Sequence, residues 1–204
     1  MSIVIAVSGP PGAGKTTLIQ NLLQRIPGST AIYSDDYQSY TQKSPEEMRS
    51  WLAESGDPND FDLSDLVVEL RHQKHGPRND NTSIKVDVDS PKVIFFETQF
   101  GRRHVDTGQF IDYQIWIELP ADVSLARNIQ MVARKMLAGP ADSHTSGLAW
   151  INHFCENYIE FVRELLVIQQ RWLSPDAEIV IDGSQAANTA GDLVTEQIIS
   201  QCFL

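Results

Sequence analysis

The sequence predicts an α/β fold with three layers, in which a five-stranded, mostly parallel sheet carries helices on both faces. Short apolar runs alternate along the chain with longer amphipathic stretches, which is typical of strand-helix-strand units around a parallel sheet. A glycine-rich segment joins the first apolar run to the first amphipathic stretch. Because 204 residues with 42% hydrophobic content suffice for one large core, we expect a single domain over residues 1–204.

The elements follow from these patterns in chain order. The predicted strands are Ile3–Val7, Ala31–Ser34, Val93–Glu97, Tyr113–Glu118 and Glu178–Ile181. The predicted helices are Lys15–Arg25, Pro45–Glu54, Leu63–His72, Val123–Leu137, one long helix Leu148–Trp172, and Gly191–Ser200. The polar segment His75–Ser90 is expected to form a loop or a small hairpin.

Composition excludes some classes of partner. The chain has 27 acidic and 16 basic residues and a formal charge of -11, so we expect neither nucleic acid nor an anionic membrane surface as a partner. No apolar run approaches the roughly 20 residues of a membrane span. The N-terminal residues lack the basic region of a secretory signal, which predicts a cytoplasmic protein. Cys155 and Cys202 show no disulfide or metal spacing and are predicted to be unpaired.

The segment Gly9–Thr16, with the sequence GPPGAGKT, matches G-x-x-x-x-G-K-[ST] and lies between a predicted strand and a predicted helix. This is the phosphate-binding loop, or P-loop, of nucleotide-binding proteins. Its glycines allow backbone N–H groups to surround phosphates, and the following helix presents its positive end to them. The predicted nucleotide-binding residues of this segment are Gly9, Gly12, Ala13, Gly14, Lys15, Thr16 and Thr17.

Two residues of the P-loop have specific predicted roles. Lys15 is expected to place its charge at the β and γ phosphates, with its side chain facing solvent when the loop is empty. The Thr16 hydroxyl is expected to ligate Mg²⁺. The sequence therefore predicts ATP and Mg²⁺ as cofactors, within the P-loop NTPase fold.

Asp35 and Asp36 follow the second predicted strand. Ligands of open parallel sheets gather at the carboxyl ends of the strands, so these side chains should face the phosphates. One carboxylate there could take the proton of an acceptor hydroxyl during phosphoryl transfer. The alternatives are a simple turn, or a helix cap at Asp36.

Four segments resemble the uridine kinase-like branch of P-loop kinases, which includes uridine-cytidine kinase, nicotinamide riboside kinase and phosphoribulokinase. They are the P-loop, the acidic-aromatic motif Ser34–Tyr37, the stretch Asp57–Asp62 followed by leucines, and Val93–Arg127. Together they cover about two-thirds of the chain. Uridine kinases carry glycine after the third-strand Glu, whereas this chain has Thr98.

The resemblance implies roles for individual residues. Asp35 corresponds to the general base and Glu97 to a carboxylate close to Mg²⁺. We expect Asp36 to contribute to the metal site by ordering a water of the Mg²⁺ shell, or else to fix the loop. Tyr37 and Asp57 fall in segments that contact the substrate. The alternative for Glu97 is an ordinary polar strand end.

Basic residues near the site would stabilise the transferred charge. Arg127 and Arg134 lie about two helical turns apart on one predicted helix face, and we favour Arg134 as the cation that swings over the phosphates. The alternative is a solvated helix face. Arg103 and His104 belong to a dense basic spot after the Glu97 strand and are predicted to contact substrate.

The loop after the last strand is the expected adenine site, and Gln185 is our candidate residue there. No Asn-Lys-x-Asp guanine-reading motif occurs, which favours ATP over GTP.

These observations favour an ATP-dependent kinase that phosphorylates a hydroxyl of a small metabolite, a nucleoside or a similar compound. The alternative is a nucleotide-dependent switch or accessory NTPase that acts on a protein partner. We expect a substrate-side insertion over about residues 37–90 and a lid over about 127–147. Assembly with further copies of the chain is left open.

Overall fold

The computed structural model describes residues 2–37, 43–76, 93–139, 143–185 and 187–202. Within them, five strands form one sheet in the order β2-β3-β1-β4-β5, and every pair of neighbouring strands is parallel. The strands are β1 (Ile3–Ser8), β2 (Ser29–Tyr33), β3 (Val93–Glu97), β4 (Tyr113–Glu118) and β5 (Ile179–Asp182). The fold class predicted from the sequence is confirmed.

Eight α-helices occur in the described part of the chain. They are α1 (Lys15–Arg25), α2 (Pro45–Glu54), α3 (Ser64–His75), α4 (Val105–Gly108), α5 (Ala121–Ala138), α6 (Ser143–Asn157), α7 (Arg163–Leu173) and α8 (Ala187–Cys202). Short 3-10 turns lie at Ser34–Tyr37, Pro58–Asp60 and Gly101–Arg103. None of the helices in the described ranges has the length and apolarity that a membrane span requires.

Hydrophobic side chains cover both faces of the sheet because successive residues of a strand point to opposite sides. On one face, Ile5 and Val7 belong to a core with residues of α1 and α8. On the other, Val4 and Ala6 belong to a core with α3 and Phe61. The sheet is therefore buried between two helical layers, and polar side chains concentrate at the carboxyl ends of its strands.

Local signals account for the start of α2. The Ser44 hydroxyl accepts from the Glu47 amide, and the Glu47 carboxylate accepts from the Ser44 amide, with Pro45 in the first turn. This reciprocal capping box satisfies two N–H groups that a helix start leaves without partners. The predicted helix Pro45–Glu54 accordingly has the bounds expected from the sequence.

The long helix predicted over about Leu148–Trp172 is present, but it contains one irregular turn. A π-helical turn, Tyr158–Val162, joins α6 to α7 without a break in the helical backbone. The Tyr158 hydroxyl in this turn donates to the Ala121 carbonyl at 2.8 Å, at the start of α5. A π turn carries no signal in the apolar spacing, since it changes the helix by a single wider turn. Most of the predicted hairpin His75–Ser90 lies outside the described residues.

Candidate active site

The P-loop joins β1 to α1 and requires its glycines for steric reasons. Gly12 and Gly14 have φ angles of 74° and 90°, which side chains with a Cβ rarely adopt. At Gly9, a Cβ would come within 2.8 Å of the Ile117 carbonyl oxygen. The loop thus runs against β4, with the start of α1 directed toward its interior.

Helix α5 supports the loop from behind. The Ser124 hydroxyl donates to the Pro11 carbonyl at 2.6 Å, and Ser124 is buried. The Arg127 guanidinium donates to the Gly12 carbonyl at 3.2 Å and to the Gly183 carbonyl at 2.9 Å. Sequence reasoning missed the role of Ser124, although a small polar residue on the buried face of an amphipathic helix is a signal that could have found it.

Lys15 is only 12% exposed, so the expectation that it faces solvent in the empty loop is wrong. Its Nζ donates to the Gly9 carbonyl at 3.1 Å and lies 3.8 Å from Glu97 Oε1. Burial lowers the pKa of Lys15, while the charges of Glu97 and Asp35 act in the opposite direction. The loop's own carbonyl groups therefore hold the ammonium inside it.

Glu97 ends β3 beside the P-loop. Its Oε2 accepts a hydrogen bond of 2.9 Å from the Thr16 hydroxyl. Burial raises the pKa of Glu97, although Lys15 and the Thr16 hydrogen bond act to lower it. The structure thus brings together three residues, Lys15, Thr16 and Glu97, that the sequence predicted for one site.

The Thr16 and Glu97 oxygens fit a magnesium site. Mg²⁺ is usually held by one or two protein oxygens together with phosphate oxygens and water, and these two side chains are adjacent. Across the described ranges, no group of three His, Cys, Asp or Glu side chains could hold a metal ion by itself. Asp36, the third predicted ligand, is exposed on the 3-10 turn after β2, and its role stays a prediction.

Asp35 lies on the same 3-10 turn, at the carboxyl end of the strand next to β3. Its Oδ1 accepts from the Gln99 amide at 3.4 Å, and its charge acts on the pKa values of both Lys15 and Glu97. Tyr37 ends the turn, half-buried, and burial raises the pKa of its hydroxyl. Gln99 was missed by sequence reasoning, because nothing in its spacing marks it.

The remaining predicted substrate residues lie on two segments that Asn59 joins. The Asn59 amide donates to the Arg103 carbonyl at 3.2 Å, and its Oδ1 accepts from the Val105 amide at 2.8 Å. The Asp57 carboxylate accepts hydrogen bonds from the backbone and side-chain amides of Asn59, and the hydrogen bond from the backbone amide is the main cause that lowers the pKa of Asp57. The exposed Arg103 guanidinium lies 5.9 Å from the Trp172 ring centroid.

His104 is buried, with 3% exposure. Its Nδ1 pairs with the Thr107 hydroxyl at 3.0 Å and its Nε2 with the Phe61 carbonyl at 3.1 Å. The His104 ring thus connects α4, through Thr107, to the Phe61 carbonyl. The predicted contact between His104 and substrate stays a prediction.

Arg134 is exposed on α5, and of the two arginines on this helix Arg127 is the one that contacts the P-loop. That Arg134 is the cation that swings over the phosphates stays a prediction. The lid predicted for about residues 127–147 includes residues 140–142, which lie outside the described ranges.

A cavity of about 150 Å³ opens beside the P-loop on the β5 side. Thr17, Arg127, Gly183 and Gln185 are among its lining residues. A Cβ at Gly183 would come within 2.9 Å of the Glu118 carbonyl oxygen, so this turn packs directly on β4. The cavity lies where the sequence predicts the adenine site, next to the loop that contains Gln185.

Two comparisons of sequence bear on this site. A family model described as the viral superfamily 1 RNA helicase core domain matches residues 5–65, from β1 to the start of α3. Uridine kinase of Chlamydia pneumoniae is 20% identical over 97% of this chain and 89% of its own length. Uridine kinase of Ureaplasma urealyticum serovar 10 is 30% identical over 62% of this chain and 67% of its own length.

Solved structures show the same fold. Shikimate kinase from Acinetobacter baumannii, in complex with shikimate, matches with a TM-score of 0.56 and 18% identity. The match covers 100% of this chain and 97% of that chain. At this identity the likeness concerns the arrangement of strands and helices alone.

Proposed function

The chain belongs to the uridine kinase-like family of P-loop kinases, and on that premise we propose that it transfers the γ-phosphoryl group of Mg-ATP to a hydroxyl of a nucleoside or nucleoside-like metabolite. That it is a small-molecule kinase follows from its relatives. The choice of a nucleoside as acceptor is supported by the likeness to uridine kinases.

One observation carries the proposal. A carboxylate, Asp35, lies on the turn that follows β2, whose last residue pairs with Glu97 of β3 beside Lys15 and Thr16 of the P-loop. A protein that only binds or hydrolyses nucleotide needs no base for an organic hydroxyl, whereas a kinase does. The carboxylate is also exposed, so an acceptor can reach it.

The transfer can be written with this chain's own residues. Asp35 takes the proton of the acceptor hydroxyl as that oxygen attacks the γ phosphorus, and the bond to the β-phosphate oxygen breaks to release ADP. Lys15 stabilises charge on the phosphate oxygens, and P-loop amides hold them in place. Thr16 and Glu97 would hold Mg²⁺, which when bound neutralises developing negative charge.

The decisive experiment is an acceptor screen. The wild-type protein with Mg-ATP is incubated with uridine, cytidine, nicotinamide riboside or ribulose 5-phosphate, and ADP release and the mass of the product are measured. We expect a phosphorylated nucleoside to form with one of the first three compounds. The matched control is Asp35→Asn, which keeps the size of the side chain and should abolish most of the transfer.

Two other outcomes would change the proposal. If only ribulose 5-phosphate is phosphorylated, the chain is a kinase but its acceptor is a sugar phosphate. If ADP release is the same with and without every acceptor, the switch or accessory NTPase becomes the better description, and a search for a protein partner follows.

A further inference from the structure

The turn that follows β3 is fixed by its own residues. The Thr98 hydroxyl accepts from the Phe100 amide at 3.2 Å and from the Gly101 amide at 3.3 Å. The Thr98 amide donates to the Val7 carbonyl at 3.1 Å, and the side chain is 3% exposed. A buried side chain that closes a turn in this way restricts the backbone on both sides of the next residue, Gln99.

Helix α7 also holds the backbone of Gln99. The Gln169 amide donates to the Gln99 carbonyl at 2.7 Å. Helix α7 packs on the face of the sheet opposite α1, since its Leu165 packs against the core on that face. The backbone around Gln99 is therefore held by β1 through the Thr98 amide and by α7 through the Gln99 carbonyl. The backbone of Gln99 therefore has little freedom, and its side chain starts from a defined position.

From that position the Gln99 side chain reaches Asp35. Its Nε2 donates to Asp35 Oδ1 at 3.4 Å. Asp35 lies on a short 3-10 turn and is exposed, in contrast to Thr98. A hydrogen bond from a fixed donor to one oxygen of an exposed carboxylate limits rotation of that carboxylate.

We propose that Gln99 is a positioning residue for phosphoryl transfer: its amide orients the Asp35 carboxylate toward the acceptor hydroxyl. The inference rests on the proposed function, because it takes Asp35 as the base. It extends the site to the turn after β3 and to Gln169, which acts through the Gln99 backbone. A base displaced from hydrogen-bond reach of the hydroxyl transfers its proton less efficiently.

The test is a double-mutant cycle between Gln99→Met and Asp35→Asn. Methionine keeps the length of glutamine and removes the donor. We expect Gln99→Met to lower kcat by about three- to tenfold in the wild-type background, the range that one hydrogen bond supports, with the KM for ATP unchanged. In the Asp35→Asn background it should have little further effect, because the oriented carboxylate is already lost.

The assay measures initial rates of labelled γ-phosphate transfer at varied ATP, which give kcat and the KM for ATP, with the fastest acceptor of the screen or, if none is active, with water. ADP binding and thermal unfolding report whether each variant is folded. Gln109→Met is the matched control, since Gln109 is an exposed glutamine that donates to the Asp106 carbonyl outside the candidate site. Gln169→Met should produce a smaller loss than Gln99→Met and no additional loss when the two are combined.

The outcomes separate the two claims. Equal losses from Gln99→Met in both backgrounds, or no loss in the wild-type background, would overturn the role of Gln99 while Asp35 remains the base. If Asp35→Asn itself transfers phosphate at the wild-type rate, the base assignment in the proposed function fails, and the inference fails with it. A rise in the KM for ATP without a change in kcat would place Gln99 in nucleotide binding instead.

Discussion

The candidate site has two halves. The nucleotide half comprises Gly9–Thr16 and Glu97, and the shape of its loop is set by backbone groups that neighbouring elements hold in place. Gly9 packs against the Ile117 carbonyl, and Ser124 holds the Pro11 carbonyl. In the acceptor half, which comprises Ser34–Tyr37, Asp57–Asp60 and Gln99–His104, side chains on 3-10 turns and loops hold one another.

The difference is one of how much each half depends on single side chains. A loop whose shape comes from glycine conformations and close packing keeps that shape when one functional side chain is changed. A set of side chains held by single hydrogen bonds changes its geometry when one of them is lost. We therefore expect substitutions in the nucleotide half to reduce activity without changing the shape of the loop. Substitutions in the acceptor half should also change the positions of neighbouring side chains.

The largest effect is expected for Lys15→Ala. Removing the ammonium should lower turnover by about a thousandfold, the upper range for loss of one charge-stabilising donor. Thermal unfolding should change far less than turnover, because Ser124 and Arg127 hold the Pro11 and Gly12 carbonyls of the loop independently of Lys15. Turnover is measured at saturating ATP, and Lys15→Met serves as a control that keeps the length of the side chain.

Unchanged turnover would contradict the role of the P-loop lysine. A large fall in unfolding temperature would contradict the contrast drawn between the two halves, since the shape of the P-loop would then depend on one side chain, that of its lysine.

The next effect is that of Asp35→Asn, which should lower kcat by about a hundredfold or more while the affinity for ATP stays the same. Asp36→Asn should cost less, because we assign it to the Mg²⁺ shell or to the shape of the turn. Both variants are measured with the same acceptor. A greater loss at Asp36 would mean that the base is the other carboxylate.

Glu97→Gln should have a moderate effect on activity. The substitution keeps the acceptor of the Thr16 hydrogen bond and removes the charge, so the Mg²⁺ concentration for half-maximal activity should rise about tenfold, with nucleotide binding less affected. A titration of activity against Mg²⁺ in both proteins measures the change. An unaltered metal response would leave Glu97 with a structural role.

The same variant also predicts a pH dependence of stability. Because burial raises the pKa of Glu97 in the folded protein, its ionised form lowers the free energy of unfolding at pH 7, and this cost vanishes as the pH falls below the ordinary Glu value. In metal-free buffer, Glu97→Gln should therefore unfold at a higher temperature than wild type at pH 7, with the difference closing at about pH 4. A lower unfolding temperature at pH 7 would show that the Lys15 ion pair outweighs the cost of burial.

The two halves also differ in how far the sequence predicts them. The parallel sheet follows from the alternation of short apolar runs with amphipathic stretches. The P-loop and the meeting of Lys15, Thr16 and Glu97 follow from a motif with fixed spacing and from the rule that strand ends gather ligands. The link between Gln99 and Asp35 joins residues far apart in sequence, and no local pattern encodes it. Likewise, the burial of His104 depends on the fold around Phe61, which its own position after a basic pair does not reveal.

The smallest expected effect is on the free energy of unfolding when serine is replaced by alanine, once beside Asp35 and once behind the P-loop. The Ser34 hydroxyl, one residue before Asp35, is buried and has no hydrogen-bond partner in the described part of the protein. The Ser124 hydroxyl, behind the P-loop, donates to the Pro11 carbonyl. Ser34→Ala should leave the free energy of unfolding unchanged or raise it by up to about 1 kcal/mol, whereas Ser124→Ala should lower it by about 1 kcal/mol.

The opposite signs follow from what each substitution leaves behind. Alanine at position 34 removes a polar group that is buried without a partner, so the cost of its burial disappears. Alanine at position 124 takes a donor away from the Pro11 carbonyl and leaves that acceptor unsatisfied. Denaturant unfolding of both variants at one pH measures the two free energies. A loss of stability in Ser34→Ala equal to that in Ser124→Ala would mean that the Ser34 hydroxyl binds an ordered water, and that the acceptor half is held as firmly as the P-loop.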